Sequence, residues 1–402
     1  MEKGIEGEER GQMDVAGQWD IDRQIEDSRL NKLLDCFVAD KLGRAGVYVR
    51  LKTGFEQLDR LLGGGIAPGI TVLGAISNLG KSTWVLQIAQ NVAKNGTPVL
   101  YVSLEMPKIR IVAKAISRQI FVEAGKDREK GMEADQLLNA GYMARLDGGQ
   151  KKRLESAQRQ VERETEHLHI IVNPAIARSA QTICEFTGQF MKRMGKTPLV
   201  IVDYLQILAG ETRRYGMDSR QAVEESIRWL SGFANENNVP VILISSLNRS
   251  SYGRPIRFEA FKETGCIEYS ADVVLGMQLS AANQVKGEKE VFDLEREKSK
   301  SPRDIEIVVL KQRYGKSGAD ARVAFDYYAE YDYFEERETS GGSAAGKSMD
   351  KRTGAGRNGA GRKGKQNEEE DAQREAGKDK KKSGVEQDFF EKYAHLQVKE
   401  RS

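Results

Sequence analysis

Cysteine is scarce: Cys36, Cys184 and Cys266 are the only three in 402 residues. They lie far apart, so there is neither a disulfide framework nor a CxxC metal motif. Histidine is as rare, and His167, His169 and His395 supply no zinc ligand set and no Ser–His–Asp arrangement. The HLH pair enters an apolar run and reads as structural. No stretch of about 18 apolar residues occurs, which excludes a membrane-spanning helix. The opening MEKGIEGEERGQMD has no apolar core of a secretory signal, so a reduced, cytoplasmic location and no membrane partner are expected. An excess of one charge is missing too: 63 Lys+Arg stand against 60 Asp+Glu, so net charge names no partner. Eight prolines beside 40 glycines point to tight turns or a glycine-rich tail.

Composition divides the chain. Residues 1–19 are polar, acidic and aperiodic, as a disordered segment is. Residues 20–43 carry Ile21, Ile25, Leu30, Leu33, Leu34, Phe37, Val38 and Leu42 at i+3 and i+4 spacings, an amphipathic helix ahead of the main fold. Residues 337–384 hold 13 Lys/Arg and 8 Asp/Glu among many glycines, which suits a disordered, solvated linker or a weak electrostatic arm for nucleic acid. The rest of the chain is therefore slightly acidic, and any nucleic-acid contact by the folded body must come from local patches. The end, 385–402, regains Val385, Phe389, Phe390, Tyr393 and Leu396 at helical spacing. It is a candidate short docking helix, or unstructured in isolation.

Over 45–335 apolar runs alternate with helical patterns. ITVLGA (70–75), PVLYVSLE (98–105), LHIIVN (168–173), PLVIVDYL (198–205), PVILISSL (240–247) and ADVVLGMQL (271–279) are apolar nearly throughout, as strands buried on both faces must be. TWVLQIAQNVAKN (83–95) and SIRWLSGFANENN (226–238) are the clearest helices between them. The alternation predicts an α/β fold with a doubly wound, mostly parallel sheet in one domain. The aromatic cluster AFDYYAEYDYFEE reads as a closing hairpin strand, with a base-stacking platform as the lesser alternative.

The sharpest local signal is ITVLGAISNLGKSTWVLQIAQ (70–90), a strand, a small-residue loop, Gly80-Lys81-Ser82-Thr83, then a helix. It fits the phosphate-binding GxxxxGK[ST] pattern in a relaxed form, with Ala75 in the first position. Gly80 lets backbone N–H groups approach a phosphate, and the helix N-terminus favours its charge. Lys81 supplies a cation to β- and γ-phosphates, and Ser82 can ligate Mg²⁺. Asp203 ends the apolar run 198–203, where open α/β sheets place ligands. It can hold the water shell of Mg²⁺, or simply cap a turn. Glu105 ends the strand after the phosphate-loop helix and is either a base for an attacking water or a surface carboxylate.

With these pieces in this order the chain resembles the C-terminal motor domain of DnaB-like replicative helicases, which have a RecA-type fold. The stretches that carry the resemblance are TGFEQLDRLLGGGIAPG (53–69), the phosphate loop, VLYVSLEM (99–106), VIVDYLQIL (200–208), NVPVILISSLNRS (238–250), KETGCIEYSADVVL (262–275) and VVLKQRYGKSG (308–318). The resemblance implies a RecA-like P-loop NTPase core, with ATP and Mg²⁺ as cofactors. It implies a homo-oligomeric ring, a hexamer, that moves 5′ to 3′ on single-stranded DNA, with a loader or primase as further partner. It places Ala75, Ser77, Asn78, Gly80, Lys81, Ser82, Thr83 and Asp203 around the nucleotide, with Ser82 and Asp203 toward Mg²⁺. Glu105 becomes the catalytic carboxylate. Arg313, with Lys311 beside it, becomes an arginine finger for the neighbouring subunit's ATP, or both are merely exposed strand charges. Lys262, Glu263 and Gly265 fall on the loop that faces DNA, and Arg213 and Arg214, with Arg220, fall where a second such loop would lie.

Three departures from the family accompany the likeness. Ser246 stands where the family has a glutamine that links γ-phosphate to the DNA loop. About 45 residues precede the motor, so the family's helical, primase-contacting collar is missing, and the helix at 20–43 takes the place of its linker helix. The tail is longer and more charged. These departures keep two alternatives open: a RecA-like DNA-binding ATPase without unwinding, and a nucleotide-dependent loading or interaction protein.

Overall fold

Runs that are apolar at every position can be satisfied only between two layers of helix, and the six such runs become the parallel part of one sheet. The computed structural model describes residues 50–177, 179–212, 218–261, 264–284, 292–318 and 320–338. The segments 1–19, 20–43 and 385–402, and the charged tail past 338, lie outside them. The elements are α1 (Glu56–Leu61), β1 (Gly69–Ala75), α2 (Lys81–Lys94), β2 (Val99–Ser103), α3 (Lys108–Glu123), α4 (Gly148–Glu164), β3 (Leu168–Ile171), α5 (Ala180–Met194) and β4 (Leu199–Asp203). Then come α6 (Leu205–Thr212), α7 (Ser219–Glu236), β5 (Pro240–Ser246), α8 (Thr264–Ser270), β6 (Val273–Leu279), α9 (Leu294–Ser299), β7 (Arg303–Gln312), β8 (Arg322–Tyr328) and β9 (Tyr333–Glu336). The sheet order is β3-β2-β4-β5-β1-β6-β7-β8-β9. β1 lies parallel between β5 and β6, and β2 lies parallel between β3 and β4. β7, β8 and β9 extend the sheet antiparallel. The fold is therefore the expected mostly parallel α/β sheet, lengthened at one edge.

Local chemistry sets the element ends. Asp147 with Gln150, Ser179 with Thr182 and Asp218 with Gln221 form reciprocal capping pairs at the starts of α4, α5 and α7, each satisfying two orphan amides. Gly195, left-handed at φ 63°, closes α5. β1, β2 and β4 are buried at every position. Phe55, Trp84 and Phe325 interlock between α2 and the added strands, with ring centroids 5.0–6.2 Å apart.

The β8–β9 hairpin seats itself beneath the start of α2. Gln87, buried in α2, donates to the Phe334 carbonyl at 2.8 Å and accepts from the Phe334 amide at 2.9 Å, so its amide takes the place of a neighbouring strand. Glu336 at the end of β9 accepts from the amides of Gln57 and Leu58 at 2.9 Å each, capping α1 with a carboxylate. The aromatic cluster is thus packing: Tyr327 stacks on Phe334 with centroids 3.9 Å apart, and Phe121 stacks on Tyr331 at 4.3 Å.

Candidate nucleotide site

β1, β2, β4 and β5 run parallel, so the residues that follow each strand collect along one edge of the sheet. The loop after β1 turns through Asn78 at φ 62° and Gly80 at φ 94°. Left-handed residues in such a loop turn backbone N–H groups toward its concave side. A Cβ at Gly80 would stand 2.7 Å from Tyr327 Cε1 and 2.9 Å from Phe334 Cζ, so glycine is required twice, by φ and by the hairpin below. Ala75 ends β1 and is buried. Ser77 and Asn78 are exposed on the loop, and the Asn78 carbonyl accepts from the Arg303 guanidinium at 3.0 Å.

Lys81 and Ser82 open α2 and are half-buried. The Lys81 ammonium lies 6.0 Å from the Tyr204 ring centroid, next to the end of β4. Asp203 there is fully buried. Its Oδ2 accepts from the Tyr101 hydroxyl at 2.8 Å, and its Oδ1 has no hydrogen-bond partner. Burial pushes the Asp203 carboxyl above its ordinary pKa, against the pull of the neighbouring Ser82 and Tyr101 hydroxyls and the Lys81 charge. A buried carboxylate oxygen without a partner is costly, and beside a serine hydroxyl and a phosphate-binding loop it suits a hydrated divalent cation. Mg²⁺ fits the residues present: Ser82 and Asp203 would hold it.

Glu105 stands exposed in the turn after β2. Its charge acts on Tyr101, Asp203 and Tyr204, raising each of their pKa values in company with burial, so it shares their electrostatic neighbourhood. Thr83 is placed differently from its neighbours. Its buried hydroxyl donates to Asp332 Oδ1 at 3.1 Å, facing the hairpin, which leaves only its backbone toward a phosphate.

Arg313 and Lys311 are not brought to this edge. β7 runs antiparallel to β6, so its Arg303 end lies by the phosphate loop and its Gln312 end lies the length of the strand away, roughly 30 Å. There Arg313 pairs with Asp272 Oδ1 at 3.0 Å and its amide donates to the Asp272 carbonyl at 2.9 Å. Lys311 donates to the Glu268 carbonyl. Of the candidate DNA residues, Lys262, Glu263, Arg213 and Arg214 lie outside the described residues. Their flanks meet: a Cβ on Gly265 of α8 would stand 3.7 Å from the Arg220 guanidinium of α7.

Three residues of the site escape a reading of the sequence. Tyr101 is one position in an otherwise apolar strand, and its hydroxyl partner comes from a different strand. Gln206, in α6, donates to Ser245 Oγ at 2.9 Å and accepts from the Ser246 amide at 3.1 Å, tying α6 to the end of β5. Tyr252 touches the phosphate loop at Ser77. A tyrosine inside an apolar strand was the one signal that sequence offered.

Comparison with known proteins agrees with this geometry. The family described as the DnaB-like helicase C-terminal domain matches residues 50–336. The replicative DNA helicase DnaB of Geobacillus stearothermophilus is 28% identical over 296 residues, and the replicative DNA helicase DnaC of Bacillus subtilis is 29% identical over 297. Each match takes in 72% of this chain and 57% of the relative, so the chain spans little more than half the length of these relatives. Among solved structures, a free-standing ATPase domain superposes with a TM-score of 0.62 at 22% identity, over 78% of this chain and all of that one. A DnaB-like replicative helicase, solved in a study of its interactions with primase, gives 0.59 at 22%, over 76% of this chain and 66% of that one. At that identity both likenesses speak for the fold alone, a RecA-like ATPase domain. Among the described residues no helix is long and apolar enough to cross a membrane.

Proposed function

This chain belongs to the DnaB-like helicase C-terminal domain family, and from that premise we propose that it is an ATP-driven motor on single-stranded DNA, hydrolysing ATP between the subunits of a homo-oligomeric ring. The observation that carries the reading is the pairing of Lys81 and Ser82 with Asp203, whose buried Oδ1 is unpartnered. The loop amides and the α2 N-terminus bind the phosphates, and Lys81 meets the β/γ oxygens. Bound Mg²⁺ would bridge those oxygens and neutralise the charge that develops on them. Glu105, free at the edge, takes a proton from the attacking water as its oxygen bonds to the γ-phosphorus and the bond to the β-γ bridging oxygen breaks. Arg313 is too far along β7 to serve its own subunit's site, so its guanidinium acts on the neighbour's transferring phosphoryl group.

DNA contact belongs to the two segments whose flanks meet at Arg220 and Gly265. A few cations from each subunit, repeated round a ring, would hold the phosphates of one strand in spite of the slightly acidic body. The geometry around Ser246 favours a second reading, in which ATP is hydrolysed on DNA without unwinding: its side chain is short, and its amide is already held by Gln206.

The test is Lys81→Ala beside the unaltered protein, with ATP turnover and strand displacement measured on the same samples. Turnover in the parent that disappears in the variant supports the site, and displacement by the parent selects unwinding over the second reading. Equal turnover in both proteins removes the phosphate-loop assignment.

A further inference from the structure

One side chain reaches the phosphate loop from a segment that none of the site chemistry above uses. The Tyr252 hydroxyl lies 3.2 Å from both the Ser77 amide and the Ser77 Oγ. Ser77 follows the end of β1, on the loop whose concave side Gly80 and Asn78 open. Both contacts are long and solvent-accessible, so they are easily exchanged for a stronger partner. The hydroxyl also sits in the field of Lys81. Burial raises its pKa, but the hydrogen bonds from Ser77 and the charges of Lys81 and Lys298 outweigh this and hold it below the ordinary phenol value. It therefore stands near the cation that meets the outer phosphates.

The segment bearing Tyr252 is a closed loop with a narrow neck. Leu247 and Phe261 form an isolated β-bridge. The Asn248 amide donates to the Ala260 carbonyl at 2.7 Å, and its side chain donates to the Phe261 carbonyl at 3.2 Å. Phe261 is fully buried against Gly74 of β1, where a Cβ would stand 2.3 Å from its ring. On the far side the loop is pinned by the Ile256 amide, which donates to Gln278 of β6 at 2.8 Å. Tyr252 ends a 3-10 turn (Arg249–Ser251), and Gly253 at φ 76° turns the chain away from it. The residue after the neck is Lys262.

We propose that Tyr252 is a contact to the terminal phosphate of a nucleoside triphosphate, exchanging Ser77 for a phosphate oxygen and so distinguishing triphosphate from diphosphate within one subunit. The hydroxyl donates to the γ-phosphate oxygen, the Ser77 amide is released to the nucleotide, and the loop shifts about its neck, carrying Lys262. This rests on the reading of Gly80–Thr83 as a phosphate cradle. It also gives the chain a link from phosphate to the DNA segment at a place other than the short Ser246.

The experiment measures equilibrium binding of ADP and of a slowly hydrolysed ATP analogue to the parent, Tyr252→Phe and Lys81→Ala, each with Mg²⁺. Phenylalanine keeps the ring's packing and removes only the hydroxyl. A hydrogen bond to a charged partner is lost, so triphosphate affinity should fall by about tenfold or more in Tyr252→Phe. ADP affinity should stay within about twofold, since no diphosphate oxygen meets the hydroxyl. The gain in affinity for a thymidine oligonucleotide that the triphosphate gives the parent should shrink in the same variant. If Tyr252→Phe changes both nucleotides by one factor, or neither, while Lys81→Ala abolishes both, the sensor is wrong and the cradle stands. If Lys81→Ala binds both as the parent does, the cradle falls and the Tyr252 contact with it.

Discussion

At Glu105 chemistry can be separated from binding, because glutamine keeps the size and hydrogen bonding of the side chain and loses only the base. Glu105→Gln should bind ATP as the parent does while turnover falls by roughly 10²–10⁴, read from nucleotide titration and steady-state hydrolysis on one preparation. Unchanged turnover would pass the role to another carboxylate. At this scale the sequence was informative wherever chemistry follows chain order. Gly80, Lys81 and Ser82 open a helix after a buried strand, and Asp203 ends a buried strand, as their spacing predicts. It was uninformative wherever a partner comes from a distant segment. The orientation of Thr83 depends on Asp332, 249 residues away, and the Asp203 carboxylate depends on Tyr101 in β2. Nothing within a motif's own span encodes either contact.

At the scale of elements, the β8–β9 hairpin is the floor of the phosphate loop. Lys114 from α3 pairs with Asp332 at the hairpin turn, its ammonium also 3.2 Å from Thr83 Oγ1, and Asp332 is left-handed at φ 52°. Arg118, one turn along α3, is buried with both terminal nitrogens unpartnered, and burial lowers its pKa to about 10 against the pull of the Asp332 charge. Asp332→Ala removes the anion, leaves these cations buried and puts a β-carbon residue with no local hydrogen bond at positive φ. It should cost about 3 kcal/mol in urea unfolding. Asp332→Asn, which tolerates that backbone and keeps the bond to Thr83, should cost less. A loss well under 1 kcal/mol in Asp332→Ala would mean the cations are solvated and the hairpin holds without them. The six apolar runs were legible as strands because burial on both faces writes itself into every residue. The seat of the hairpin was not, since its aromatic residues announce packing but not the Gly80 they pack against.

At the scale of the whole molecule, β7 separates the two halves of the proposed active site. One end touches the phosphate loop through Arg303 and the other presents Arg313, paired with Asp272 and half-exposed. The sequence named Arg313 through its motif; the antiparallel register of β6 and β7 supplies the reason it cannot act within its own subunit. The central claim, an ATP site completed by a neighbour, is tested most directly by mixing two inactive proteins. Lys81→Ala keeps Arg313 but has no functional phosphate loop, and Arg313→Ala keeps Lys81, Glu105 and Asp203 but has no finger. After subunit exchange, an Arg313→Ala subunit beside the finger of a Lys81→Ala subunit holds one complete site. Arginine fingers are worth about 10³–10⁵ in rate, so ATP hydrolysis should rise well above either parent and peak near equal proportions. A mixture that stays as inactive as its components, with exchange demonstrated by labelled subunits, would contradict the shared site.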